Sequence, residues 1–175
     1  MLDVSISYNR YKFLGDEFLT WLWYAIENEP EAIKNADNEV YVLEVGNRIV
    51  LENRLGEDSV ESITIKGDDA GLEEGRLALR KGAVVTEINL VYRSGDEEWR
   101  FSLKGESLSF SGLRPPETQP IESKDDLEGA VLEKAFLYEK VLVLLDEIFN
   151  RFIRFRVHNQ WQGEMVPRIR QWISA

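Results

Sequence analysis

The chain has 175 residues, a mass of 20.3 kDa and a formal charge of −11, with 32 acidic residues against 21 basic ones. That size fits one domain with its own core, and that charge disfavours a uniformly basic nucleic-acid or membrane binder. Cysteine is absent, which removes disulfides, thiolate nucleophiles and zinc-thiolate sites, and the single histidine, His158, leaves no histidine cluster.

In chain order, residues 1–12 (MLDVSISYNRYK) carry an early Asp3 and no apolar stretch of signal-peptide type, so a cytoplasmic location is expected. No window approaches 18 apolar residues without charge, and no membrane partner is expected. A first helix is predicted from about Leu14 to Asn28. Phe18, Leu19, Leu22 and Ile26 recur at helical spacing, and Glu29-Pro30 ends it. Trp21, Trp23 and Tyr24 make that helix apolar nearly all round, so it is buried on two faces or meets a partner.

The period then changes to two. Val40–Val45 and Arg48–Glu52 flank Gly46-Asn47, which is predicted to be a hairpin turn. A further strand through Val60, Ile63 and Ile65 ends at Gly67, and a short helix over 70–81 ends at Gly82. Val84, Thr86, Ile88, Leu90 and Tyr92 alternate and are assigned to one face. After the Ser94-Gly95-Asp96 turn come Trp99, Phe101 and Leu103, then Leu108 and Phe110 beyond Lys104-Gly105. Residues 112–124 hold three of the five prolines and read as a connector.

The longest helical pattern runs from Lys124 to Val157, about 50 Å in length. One stripe reads Leu127, Val131, Ala135, Tyr138, Leu142, Leu145, Phe149 and Phe152, and a second holds Leu132, Phe136, Val143 and Ile153. Such a helix either breaks or projects towards another subunit. Pro167 suits the first turn of a final short helix ending near Trp172. The expected fold is α+β: one domain with an antiparallel meander of five or six strands packed by N-terminal and long C-terminal helices. It divides into a helix-and-meander part over 1–113, a proline-rich connector over 114–124 and a helical region over 125–175.

Charge is polarised along the chain. Residues 151–175 carry five arginines against Glu164, a local +4, so the rest sums to −15. Arg151, Arg154, Arg156, Arg168 and Arg170, interleaved with Phe152, Phe155, Trp161 and Trp172, are the candidate duplex-DNA contacts. The competing reading makes the aromatics core and the arginines counter-charge to the acidic surface, with Glu147 and Arg151 spaced for a helical ion pair. Phe18, Trp21, Trp23, Phe149 and Phe152 are the candidate interface of a homodimer, against core packing as the alternative.

Catalytic signals are weak. Asp68-Asp69, Glu73-Glu74, Asp96-Glu97-Glu98 and Asp125-Asp126 fall in predicted turns or helix starts, where solvated carboxylates are ordinary. Glu122-Ser123-Lys124 matches the Glu-x-Lys element of restriction-type nucleases, but it lies in the connector. Walker and dinucleotide-binding glycine loops and a nucleophile elbow are absent. Gly67, Gly71 and Gly75 are separated by acidic residues that would repel phosphate. Catalytic residues, metal ligands and cofactors are therefore not expected.

Two segments resemble the recombination-associated RdgC family. Residues 13–27 (FLGDEFLTWLWYAIE) resemble a distinctive motif of that family. Residues 80–113 (RKGAVVTEINLVYRSGDEEWRFSLKGESLSFSGL) resemble its C-terminal segment, in which a helix ends in Gly, a Val-Thr-rich strand follows and a Phe-containing hairpin leads on. The resemblance implies a bacterial, nucleoid-associated, dimeric protein that binds DNA with little sequence preference. This chain is shorter than full-length relatives and strongly acidic, so DNA would need a segregated basic surface. A non-catalytic DNA-binding oligomer is one expectation, and a protein-interaction module without a nucleic-acid role is the other.

Overall fold

The computed structural model describes residues 4–34, 41–54, 60–67, 69–118 and 124–175, with side chains from Leu14 onward except at Arg54, Val60, 69–72 and 124–126. Helix α1 spans Val4–Asn28. It starts ten residues before the predicted Leu14, because neither proline nor glycine interrupts residues 4–13. It stops as predicted before Pro30, which opens a single 3₁₀ turn over Pro30–Ala32. Gly15 lies inside α1 because the helix there touches the β-sheet end. A Cβ at position 15 would sit 1.7 Å from the Gly105 carbonyl oxygen.

Strand β1 (Tyr41–Arg54), β2 (Val60–Lys66), β3 (Val84–Ser94), β4 (Glu97–Lys104) and β5 (Ser109–Arg114) form one antiparallel sheet in the order β2-β1-β3-β4-β5. The α+β class is thus the observed one, with five strands among the described residues. Only β3-β4-β5 is a simple meander. From β2 the chain crosses over β1 through α2 (Asp69–Arg80) to reach β3. Helix α2 ends as predicted at Gly82: the Ala83 and Gly82 amides donate to the Ala78 and Leu79 carbonyls at 3.1 and 3.0 Å.

Two strand expectations are corrected. Gly46-Asn47 is not a hairpin turn but an irregularity inside the single strand β1, where pairing with β3 shifts between Val45 and Ile49. The Asn89 side chain occupies the space beside it, its Oδ1 lying 2.0 Å from where a Gly46 Cβ would stand. A second shift, between Val50 and Leu51, breaks the alternation of β3. Val85 rather than Thr86 therefore enters the core, and the Thr86 hydroxyl donates to the Val50 carbonyl at 3.3 Å.

The helices cover one sheet face. Leu43, Ile49, Leu51, Ile88, Leu90, Tyr92, Trp99, Phe101 and Leu103 meet Phe18, Trp21, Leu22 and Trp23 of α1 in one continuous core. The other face is polar. There Arg93 bridges Glu44 and Glu98 at 2.5 and 2.7 Å, Arg100 joins Glu98 at 2.6 Å, and Arg48 pairs with Glu87 at 2.9 Å. This one-sided burial is what an antiparallel sheet allows.

Helix α3 is unbroken over Lys124–Val157, 34 residues, as predicted. The chain then reverses through a π-helical turn (Trp161–Met165) into α4 (Val166–Ser174), with Pro167 in its first turn. The buried side of α3 departs from both predicted stripes except at the end of the first, where Leu145 and Phe152 do face the core. Leu137, Val141, Leu144, Leu145, Ile148 and Phe152 face the core, while Leu127, Val131, Tyr138 and Leu142 are exposed. A helix apolar over most of its circumference does not reveal its inner side by periodicity. The buried indole of Trp99, donating to the Leu137 carbonyl at 3.0 Å, fixes it.

Candidate functional site

The basic C-terminal segment folds back across the end of α1. Arg156 donates to Glu17 at 2.5 Å and lies over the Trp161 ring at 5.7 Å. Arg168 pairs with Glu29 at 3.0 Å and, more loosely, with Glu164 at 4.0 Å. The hydrogen bond to Glu29 holds the Arg168 guanidinium above its ordinary pKa. Arg151 reaches the Ala32 carbonyl at 3.4 Å rather than Glu147. Arg154 and Arg170 are exposed. The five arginines are therefore not one open patch. Two of them neutralise carboxylates in and just after α1, Glu17 and Glu29, as the counter-charge reading expects.

The aromatic residues of that segment are core. Phe152, Trp161 and Trp172 are buried. Trp172 stands edge-on to Trp23, with ring centroids 5.1 Å apart. Burial, and after it the hydrogen bond to Glu29, pushes the Tyr24 phenol up to about 12.

The expected interface residues are likewise spent internally. Phe18, Trp21, Trp23 and Phe152 are all at or below 1% exposed, and Phe149 is half-buried. Phe18 contacts Phe149 edge-on at 5.1 Å and Phe152 at 5.3 Å, and Trp21 meets Phe152 at 5.6 Å. The aromatic face of α1 is filled by α3 of the same chain, which corrects the expectation that a second subunit completes it.

Of the two outcomes expected for so long a helix, a break or a projection, α3 shows the projection. Residues 127–136 of α3 are exposed, apart from partly covered Ala130, so this stretch projects from the domain. Leu127, Val131, Leu132, Phe136, Leu142 and Val143 are each between 48% and 65% exposed. Isolated exposed leucines are unremarkable, but six large apolar side chains exposed on one helix are more than scattered singles. The signal was in the sequence as the two apolar stripes. Their orientation was not.

Beside this surface lies a cavity of about 220 Å³ between α1, α3 and the β4–β5 hairpin, lined by Phe18, Leu103, Leu108, Phe110, Leu142 and Phe149 among others. Leu108 there holds φ at 49°, the one non-glycine residue with positive φ among those described. A larger polar cavity of about 510 Å³ is lined by Asp16, Glu52, Glu87, Glu106 and Lys104 with Ser107 and Ser109. Among the described residues no group of three or more His, Asp or Glu is placed to hold a metal ion.

Of the acidic clusters, Glu73-Glu74 is exposed on α2 and Asp96 in a turn, while Glu97 pairs with Lys140 at 2.8 Å. Glu98 is held below its ordinary pKa by hydrogen bonds from Arg93 and then Arg100. The side chains of Asp68-Asp69, Asp125-Asp126 and Glu122-Ser123-Lys124 lie outside those described. None of the described helices is long and apolar enough to cross a membrane.

No family model, curated protein or solved structure matches the chain. The RdgC resemblance therefore rests on the two quoted segments.

Proposed function

We propose that this protein is an assembly module whose working surface is the exposed apolar side of α3. The single observation that carries this reading is the projection of residues 127–136 with Leu127, Val131, Leu132 and Phe136 each at least half exposed. Burying such a surface is worth about 25 cal/mol per Å² of apolar area, and helix-to-helix docking is the ordinary way to bury it. Sedimentation tests it: self-association that Leu132→Glu and Phe136→Glu abolish supports the reading.

A second reading keeps the RdgC-like expectation of non-specific duplex binding. Its support is the exposure of Arg154 and Arg170, with Arg168 also 54% exposed at its side chain. The internal pairing of Arg156 and Arg168 weakens it relative to the assembly reading. Duplex binding that falls steeply with added salt would favour it.

A further inference from the structure

We propose that the cavity between α1, α3 and the β4–β5 hairpin binds a small organic ammonium ion, with its apolar body inside and its charge at Asp146. This site goes beyond the assembly reading and does not depend on it.

The lining grades from an apolar floor to a charged rim. Phe18, Leu103 and Leu145 are buried and close the bottom. The half-buried rings of Phe110 and Phe149 make the walls, and the exposed Leu108, Leu142 and Asp146 form the mouth. The volume of about 220 Å³ exceeds the ~150 Å³ that suffices for a benzene ring in an apolar protein cavity. An apolar recess with one placed polar group is how small-molecule sites orient a ligand.

Two features of that lining select a cation. The first is its three phenyl rings, Phe18, Phe110 and Phe149, since aromatic rings attract organic ammonium ions through their π faces. The second is Asp146, the one ionisable group in the lining. Its Oδ2 accepts a hydrogen bond from the neutral Asn150 amide at 3.0 Å, and among the described residues no cation pairs with it. The carboxylate thus keeps its charge at the mouth of an apolar recess. The −11 charge of the whole chain adds a field that draws cations and repels anions.

Leu108 is a separate sign of a built site. It holds φ at 49°, a left-handed conformation that strains a residue with a Cβ. Glycine would relieve that strain, yet the position carries a leucine whose side chain lines the mouth.

Phenethylammonium is the probe, with phenethyl alcohol as its neutral analogue and phenylacetate as its anionic one. Each is titrated into the full chain at neutral pH while leucine methyl resonances are followed. The expected result is saturable shifts at Leu103, Leu108, Leu142 and Leu145, with the ammonium binding tightest and the carboxylate weakest. Asp146→Asn should keep the thermal midpoint, weaken ammonium binding about fivefold, the upper range for an exposed charge pair, and leave the alcohol unaffected. Absence of saturable shifts at those four methyls overturns the site. Shifts confined to Leu127 and Leu132 overturn it as well, because they report adsorption on the outer side of α3. Equal affinity for the three probes, or undiminished ammonium binding by Asp146→Asn, overturns the selection of a cation.

Discussion

Trp23 and Trp172, 149 residues apart in sequence, donate their indole N–H groups to the two oxygens of one carboxylate, Glu27, at 2.6 and 2.8 Å. The rings meet edge-on, so α4 is held to α1 by packing and by a shared acceptor at once. That contact explains why a basic, aromatic C-terminal stretch is mostly structural. Replacing Glu27 with Leu should leave two indole donors unpaired and cost about 1–3 kcal/mol, read as a lower denaturation midpoint and a shift in tryptophan emission. An unchanged midpoint would show that α4 is held by other contacts.

Gly15→Ala should be damaging, because Gly15 is buried where α1 meets the end of the sheet. The added methyl would collide with backbone, the Gly105 carbonyl, rather than with a side chain that can turn away. Overpacking of this kind costs about 1–3 kcal/mol. Gly163→Ala, where nothing lies within 4 Å of the added carbon, is the control and should be near neutral.

Stability should fall in alkali. Burial pushes both Tyr24 and Tyr41 up to about 12 from 10. Each phenol is therefore more acidic in the unfolded chain, and its contribution is complete below pH 10 and lost as pH rises through 12. Thermal melts between pH 9 and 12 should show the midpoint falling, and Tyr41→Phe should flatten part of that fall. A pH-independent midpoint across this range would contradict the burial of both hydroxyls.

Duplex DNA discriminates the two functional readings. If DNA is a ligand, binding at low salt should weaken with a slope that drops by about one for each of Arg154→Gln and Arg170→Gln. If the protein is an assembly module only, the unmodified chain should bind no duplex even at low salt.

Much of the fold was legible in the sequence, and the rest failed for identifiable reasons. The boundaries of α3, the Gly82 helix end and the Pro167 helix start follow from local chemistry, and each stands where it was expected. Gly46-Asn47 misled because glycine followed by asparagine marks a turn or a strand irregularity equally well, and the deciding group, Asn89, lies on another strand. The alternation of β3 failed at Thr86 for the same reason, since register is set by the neighbouring strand. The exposed apolar surface of α3 was half legible. Both apolar stripes of α3 were visible, but the inner side runs through Leu137, Val141, Leu144 and Ile148, which belong to neither, and it is set by Trp99 and the aromatic side chains of α1. The candidate interface residues Phe18, Trp21 and Trp23 were misplaced because a helix apolar on all sides looks the same whether its cover is another helix of the chain or a second molecule.

The central claim is that the outer side of α3 associates. Sedimentation equilibrium of the full chain over micromolar concentrations, beside Leu132→Glu and Phe136→Glu, tests it most directly. The account predicts a dimer of about 41 kDa for the unmodified chain, twice its 20.3 kDa. It predicts monomers of unchanged denaturation midpoint for both variants, since these side chains are 65% and 56% exposed and outside the core. An unmodified chain that stays monomeric, or a dimer that both substitutions leave intact, would contradict it.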